Sequence, residues 1–182
     1  MPLIVIYLIP IGEIEPDVME YLSSVLEEKF KVECSLGEPL EEPDYAYNRR
    51  RRQYLSSPIL GELRRKKPPD ASYVLGVIDK DLFVPPLNFI FGEADMVDKV
   101  AIISLTRLRQ EFYGKSEDEA LFRLRALKEA VHELGHTFGL RHCPDPTCVM
   151  HFSNSLADTD IKGVDFCPDC RSKVEFLLGD ER

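Results

Sequence analysis

Residues 131–143 read VHELGHTFGLRHC, and three of the four histidines of the 182-residue chain lie within them. His132 and His136 are four residues apart at the end of a long apolar pattern of helical period. Side chains with this spacing lie on one face of a helix, one turn apart, so the two imidazoles can converge on one ion. The stretch therefore predicts a metal site built on the last turns of a helix.

The residues that follow complete this site. Gly139 can take a positive φ and end the helix, after which the chain can turn so that His142 points back at the same ion. Three histidines leave the fourth tetrahedral position of zinc to water, as in catalytic sites. Glu133, next to the first histidine, can accept a proton from that zinc-bound water and pass it to a leaving amine. The pattern H-E-x-x-H-x-x-G-x-x-H thus predicts a zinc-dependent hydrolase.

Four cysteines follow in two pairs with the spacing of structural zinc ligands. Cys143 and Cys148 are separated by four residues, and Cys167 and Cys170 by two. Four thiolates make a closed site, whose role would be to fold the C-terminal tail. Two short disulfides or a redox pair are the alternative, although no βαβ pattern accompanies the C-P-D-C sequence. The fifth cysteine, Cys34, stands alone and is expected to be a small buried apolar residue.

The third histidine and the first of these cysteines are neighbours, with Cα atoms about 3.8 Å apart. One ion would hold Cys143 and the other would hold His142. We hypothesise that the thiolate-bound metal makes the loop that carries His142 rigid.

Composition and charge set the class of protein. A net charge of −9, with 44% hydrophobic and 30% charged residues, is typical of a globular protein and argues against nucleic-acid or membrane-surface binding. The N-terminal sequence MPLIVIYLIPIGEIEP has no basic segment before its apolar run and no small-residue cleavage site, so it favours a buried first strand over a signal peptide. We therefore expect a cytoplasmic protein, and the length predicts one domain.

Apolar runs and periodicity predict the elements around the site. Helices are expected over 15–30, from Ser56 or Ser57 onwards, and over 115–140; strands are expected at 3–9, 31–36, 71–79, 87–94 and 99–108, with a loop at 37–48. This order predicts an α/β (α+β) fold, in which a mixed twisted sheet has helices packed against it. The basic run at 49–67 is either a solvated helix face or a contact site for an acidic partner.

The longest helix carries two further expectations. Ser116 and Glu119 have the spacing of a capping box at its start. An apolar stripe is expected to pack under the sheet, formed by Leu121, Leu124, Leu127, Val131 and Leu134.

The sequence HELGHTFGLRH resembles the signature of the metzincin zinc peptidases, and the added HCPDPTCVM and CPDC resemble the archaemetzincin family, over residues 132–170. The resemblance implies two zinc ions per chain, with Glu133 as the general base. The catalytic ion would be held by His132, His136 and His142, and the structural ion by Cys143, Cys148, Cys167 and Cys170. Met150 would be the Met-turn residue beneath the catalytic zinc, although on the sequence alone it could equally be a core filler.

The resemblance also implies a metzincin-like architecture for residues 1–182. A sheet-containing N-terminal lobe of about 1–139, including the active-site helix, would face a small C-terminal lobe of about 140–182 across a cleft. The edge strand at about 87–94, ending in FGEA, would bind extended peptide, and the alternative is an ordinary strand. Phe152 stands where some metzincins carry a tyrosine, so no phenol is available there. His151 is either an outer partner of the zinc site or exposed, and we expect it to be exposed.

The function that follows is a zinc metallopeptidase that hydrolyses peptide bonds of a peptide or protein substrate. Two alternatives stay open: a zinc hydrolase of a small amide or a specialised peptide end, and a binding module that keeps both metals without turnover. The presence of Glu133 favours an enzyme, because a purely structural site has no use for a base. The oligomeric state is not predicted.

Overall fold

Eight strands and five α-helices follow one another along residues 3–180, the part of the chain that this computed structural model describes. The strands are β1 (Val5–Ile11), β2 (Glu33–Leu36), β3 (Tyr47–Asn48), β4 (Gln53–Leu55), β5 (Tyr73–Ile78), β6 (Leu82–Phe83), β7 (Gly92–Asp95) and β8 (Val100–Ser104). The helices are α1 (Pro16–Phe30), α2 (Ser56–Arg65), α3 (Glu119–Thr137), α4 (Leu156–Ile161) and α5 (Pro168–Asp180). Short 3₁₀ turns lie at Asp44–Ala46, Thr106–Leu108 and Gln110–Tyr113.

A five-stranded mixed sheet with the order β2-β1-β5-β8-β7 forms the centre of the fold. All neighbouring strands are parallel except β7, which pairs antiparallel with β8 and forms one edge. The central strands β5 and β8 are buried on both faces, which explains why their sequences are continuous apolar runs. The second, smaller sheet has the order β3-β4-β6.

Alternate residues of the central strands face two separate hydrophobic clusters. Leu75 and Ile103 belong to the cluster formed with α1, α3 and the C-terminal segment. Val74 and Ile102 belong to the cluster formed with α2 and the small sheet. The period of two along each strand thus produces three layers, with the sheet in the middle.

The predicted mixed α/β fold is confirmed, and most elements lie within two or three residues of their expected bounds. The strand expected at 87–94 is wrong in its first half, because only Gly92–Asp95 pairs with β8. The loop expected at 37–48 contains a 3₁₀ turn and ends in β3. No helix within residues 3–180 is both long and apolar enough to cross a membrane. Residues 1, 2, 181 and 182 of the expected domain lie outside the described residues.

Two expectations for α3 are wrong. Its cap is Asp118, whose Oδ1 accepts a hydrogen bond from the backbone N–H of Leu121 at 3.0 Å, rather than Ser116. Glu119 instead forms an ion pair with Arg123 one turn further on. Leu124 is 39% exposed and Leu121 is only half-buried, so the first two residues of the predicted apolar stripe do not belong to the buried face of the helix. The C-terminal segment covers a second face of α3, which buries several charged residues that the stripe left out, namely Arg125, Lys128 and Glu129.

Candidate active site and metal centres

The last two turns of α3 present His132 and His136 toward one point. Their Nε2 atoms are 3.1 Å apart. Each ring is fixed through its other nitrogen, since Nδ1 of His132 donates to the carbonyl oxygen of Val149 at 2.7 Å and Nδ1 of His136 donates to that of Leu140 at 2.8 Å. With Nδ1 carrying the proton, each Nε2 lone pair is free to face a metal ion.

A glycine turn brings the third histidine to the same point, as the sequence predicts. Gly139 has a φ of +105°, which L side chains rarely adopt, and its N–H donates to the carbonyl oxygen of His136 at 2.9 Å. The chain then reverses, and the ring of His142 lies 5.4 Å from that of His132 and 4.8 Å from that of His136, between centroids. One ligand nitrogen from each of the three histidines lies within 4.8 Å of the others.

The protonation state of the three rings suits metal binding. Burial lowers the pKa of His132 well below its usual value, and it also lowers the pKa of His136 and of His142. The rings are therefore neutral at physiological pH, as nitrogen ligands must be. Three neutral imidazoles on fixed backbone, with His142 at the exposed side, match a zinc site with one open position.

Glu133 is buried beside this centre and lines the same cleft, which has a volume of about 420 Å³. Burial, followed by the neighbouring Glu129 carboxylate, raises the pKa of Glu133 well above its usual value. Strand β7 closes over its carboxyl group: a Cβ at Gly92 would stand 2.7 Å from Oε1 of Glu133. This contact could not be predicted from the sequence, because it joins residues 41 positions apart that no motif links.

A buried ion pair lies behind the glutamate and was also missed. Lys162 Nζ and Glu129 Oε1 are 3.1 Å apart, and their side chains are 0% and 3% exposed. The Thr159 hydroxyl donates to the same carboxylate oxygen at 3.0 Å. These contacts connect α3 with the end of α4. The only sequence signal was Glu129 itself, a charged residue beside the apolar stripe of α3.

Met150 lies against the turn of α3 between the first two histidines. It is fully buried, and a Cβ at Gly135 would overlap its sulfur atom. The fourth residue of the HELGH sequence, Gly135, is therefore a glycine for a steric reason. The role of Met150 as the Met-turn residue, which the resemblance implies, stays a prediction.

The four clustered cysteines also come together. Their sulfur atoms all lie within 4.8 Å of one another, and those of Cys143 and Cys167 are 3.8 Å apart. The backbone N–H of Cys167 donates to the Cys148 sulfur at 3.3 Å, and that of Cys170 donates to the Cys167 sulfur at 3.5 Å. The latter hydrogen bond lowers the pKa of Cys167. All four are free thiols, which contradicts the disulfide alternative, and this donor set matches a closed structural zinc site.

Three other residues singled out in the sequence have clear positions. His151 is half-buried, and its Nδ1 donates to the carbonyl oxygen of Cys143 at 2.9 Å, so the expectation that it is exposed is wrong. The ring of Phe152 lies 5.0 Å from that of His142 and lines the cleft without a hydroxyl. Cys34 is half-buried at the edge of the core, rather than fully buried as expected.

Known proteins resemble the chain over nearly its whole length. The model of peptidase family M54 matches residues 11–176. The archaemetzincin of Pyrococcus furiosus is 47% identical over 96% of this chain and 94% of its own length. The archaemetzincin structure from Methanopyrus kandleri has a TM-score of 0.85 at 34% identity, covering 98% of this chain and 97% of that one. The structure from Archaeoglobus fulgidus has a TM-score of 0.81 at 39% identity, covering 93% and 99%.

Fold, metal centres and relatives define a zinc-dependent metallopeptidase, a hydrolase whose substrate is a peptide or protein. Its cofactor is zinc, with a histidine cluster for the catalytic ion and a cysteine cluster for the structural one. The chain belongs to peptidase family M54, the archaemetzincins.

Proposed function

We propose that this metallopeptidase hydrolyses internal bonds of extended peptides, with His132, His136 and His142 as ligands of the catalytic zinc and Glu133 as general base. The observation that carries the proposal is that all four side chains line one cleft, where the three ligand nitrogens converge. The four clustered cysteines, Cys143, Cys148, Cys167 and Cys170, would hold the structural zinc.

The chain's own groups suit this reaction. A zinc ion bound by the histidines supplies Lewis acidity, which polarises the scissile carbonyl and makes the attacking water more acidic. Glu133 takes the proton of that water and later donates it to the leaving amine. Its burial supports the role, because a carboxylate with a raised pKa is a stronger base.

Strand β7 is the proposed binding strand for the substrate backbone. It pairs with β8 on one side only, and Gly92, Glu93 and Ala94 line the cleft on the other. An extended peptide can add to such an edge through main-chain hydrogen bonds. Apolar side chains dominate the rest of the lining, including Phe89, Phe91 and Phe152, so the peptide residues that they contact are expected to be apolar.

The two alternatives make different demands on the site. A hydrolase of small amides needs no edge strand, so the position of β7 along the cleft favours an extended substrate. A silent binding module needs no base, so the buried carboxyl group of Glu133 favours catalysis.

Cleavage of a mixed peptide library by the wild type and by Glu133→Ala tests the proposal, with zinc measured in both. The expected result is two zinc ions per chain in both proteins and a loss of turnover of about 100-fold to 10,000-fold in the variant. A loss of turnover smaller than about 100-fold in Glu133→Ala would exclude Glu133 as the base. Equal absence of cleavage in both proteins would favour the binding module.

We also propose that residues 1–182 form one metallopeptidase domain, with a lobe boundary near residue 139. Gly139 supports this boundary, since the chain reverses there after the active-site helix. A cytoplasmic location without nucleic-acid or membrane partners is part of the proposal, and the net charge of −9 supports the absence of such partners.

A further inference from the structure

Residues 84–91, here called the cleft wall, connect β6 to β7 opposite the active-site helix. Six of these eight residues line the cleft, and the two prolines between Val84 and Leu87 do not. The wall forms no strand of its own. Two backbone hydrogen bonds join it to the backbone of other segments: the N–H of Ile90 donates to the carbonyl oxygen of Leu82 at 3.0 Å, and the N–H of Ser104 donates to the carbonyl oxygen of Phe91 at 2.8 Å.

The first side chain that holds the wall is Arg107, in the 3₁₀ turn after β8. Its guanidinium lies 4.1 Å from the ring centroid of Phe89, a cleft-lining residue, and 4.8 Å from that of Phe112. Two charge-assisted hydrogen bonds of 2.6 and 2.8 Å tie the same guanidinium to Asp81. The two side chains are only 22% and 16% exposed, so the pair is a fixed platform for the ring.

The second side chain that holds the cleft wall is Arg51, a member of the basic run at 49–67. Its Nη2 donates to the carbonyl oxygens of Leu87 at 3.1 Å and Asn88 at 3.0 Å, and its Nε donates to Oε1 of Gln53 at 2.9 Å. The buried amide of Gln53 in turn donates to Asn88 at 2.8 Å and to Oδ2 of Asp81 at 3.1 Å. A continuous chain of hydrogen bonds therefore runs from Arg51 through Gln53 and Asp81 to Arg107.

We propose that Arg107 and Arg51 are positioning residues for substrate, which hold the cleft wall at the spacing that a peptide requires. This inference rests on the proposed function, because it takes the wall to contact the substrate. Both ends of the hydrogen-bonded chain touch the wall, and its members come from the β3–β4 turn, β4, the β5–β6 connection and the turn after β8. None of them lines the cleft or ligates metal, so their effect is on substrate binding rather than on the chemical step.

Arg107→Gln, compared with Arg109→Gln, tests the proposal. Arg109 is a matched control: it pairs with Asp79 at 2.8 Å, lies 4.0 Å from the ring centroid of Phe122 and is 21% exposed, yet its described contacts do not include the wall. With the peptide library, Arg107→Gln is expected to raise KM about tenfold while kcat and zinc content stay within about twofold of wild type. Arg109→Gln is expected to leave KM unchanged.

A second pair uses the basic run itself. Arg51→Ala removes the two hydrogen bonds to the wall, whereas Arg50→Ala changes an exposed neighbour. KM is expected to rise only in Arg51→Ala. Equal changes in KM within either pair, or a fall in kcat and zinc content with unchanged KM in Arg107→Gln, would overturn the proposal.

Hydrogen–deuterium exchange separates this proposal from the proposed function. Arg107→Gln should speed exchange within 84–91 and leave α3 unchanged. Absence of peptide cleavage by the wild type would count against the proposed function alone, and the wall could still be judged by exchange. Unchanged exchange in 84–91 would show that Arg107 does not hold the wall.

Discussion

Gly92 of the edge strand lies directly against the carboxyl group of Glu133, so that a Cβ at position 92 would stand 2.6 Å from Cγ and 2.7 Å from Oε1. The same Cβ would stand 2.7 Å from the backbone oxygen of Ile102 on β8. One position therefore serves two roles: it completes the sheet edge proposed to bind substrate and it sets the place of the proposed base. The sheet edge and the Glu133 carboxyl group can lie this close together because Gly92 has no side chain.

Gly92→Ala should displace Glu133, because the backbone on the other side cannot yield as easily as a side chain. A misplacement of about 1 Å costs on the order of 100-fold in turnover. We expect this loss in kcat with zinc content unchanged, measured on the peptide library. Gly61→Ala is the matched control, since a Cβ there meets nothing within 4 Å and α2 favours alanine. Wild-type kcat in Gly92→Ala would show that the contact is not needed.

Lys162→Met should destabilise the protein strongly, because it leaves the Glu129 carboxylate buried without its partner. Breaking such a pair costs about 3–5 kcal/mol. Urea unfolding of the zinc-loaded protein measures the change in unfolding free energy. Arg123→Ala breaks the surface ion pair with Glu119, where only a small change in unfolding free energy is expected because solvent screens the two charges. Similar losses in the two variants would contradict a structural role for the buried pair.

Cys148→Ser should weaken zinc binding at the histidines as well as at the cysteines. The Cys148 sulfur accepts hydrogen bonds from the backbone of Met150 and Cys167, and the residue between Cys148 and Met150 supplies the carbonyl oxygen that fixes the His132 ring. A disturbed outer partner of a ligand lowers metal affinity by about 10-fold to 100-fold. Competition with a chelator, read at each site, measures this effect. Cys34→Ser is the control, and unchanged affinity at the histidine site would remove the idea.

Cys34 should resist alkylation in the folded protein. Burial, followed by the carboxylates of Glu27 and Glu33, raises the pKa of its thiol from 9.0 to about 12. At pH 8 to 9 the folded thiol stays protonated, whereas the unfolded thiol ionises near pH 9. Its contribution to stability is therefore complete below about pH 9 and is lost as the pH rises towards 12. Peptide mapping after iodoacetamide treatment at pH 8.5 should show slow labelling in native protein and fast labelling in urea. Fast labelling of the native protein would contradict the raised pKa.

The parts of the structure that depend on short-range spacing could be predicted from the sequence. The helical period places His132 and His136 on one face, and a glycine three residues later permits the turn to His142. Continuous apolar runs likewise identify the central parallel strands, because a strand that is buried on both faces is apolar at successive positions. The mixed sheet, the family and the use of zinc were confirmed, whereas the roles of the individual ligands and of Glu133 stay predictions.

The parts that depend on distant contacts could not be predicted. Phe89 and Phe91 belong to a run that looks like a strand, yet side chains from other segments hold that run as the cleft wall. Ser116 and Asp118 both have the chemistry of a cap, and spacing alone does not choose between them. Lys162 gives no local signal, because its burial depends on packing against α3 and on pairing with Glu129, 33 residues earlier in the chain.

The contact between Gly135 and Met150 has a consequence for how far the H-E-x-x-H stretch tolerates change. A saturation library over positions 131–143 would lose folded members at Gly135 as readily as it loses metal at the histidines, although Gly135 ligates nothing. Recovery would require a smaller residue at position 150. Positions 135 and 150 must therefore vary together. A redesign that keeps only the histidines and the glutamate would omit a steric requirement of the same stretch.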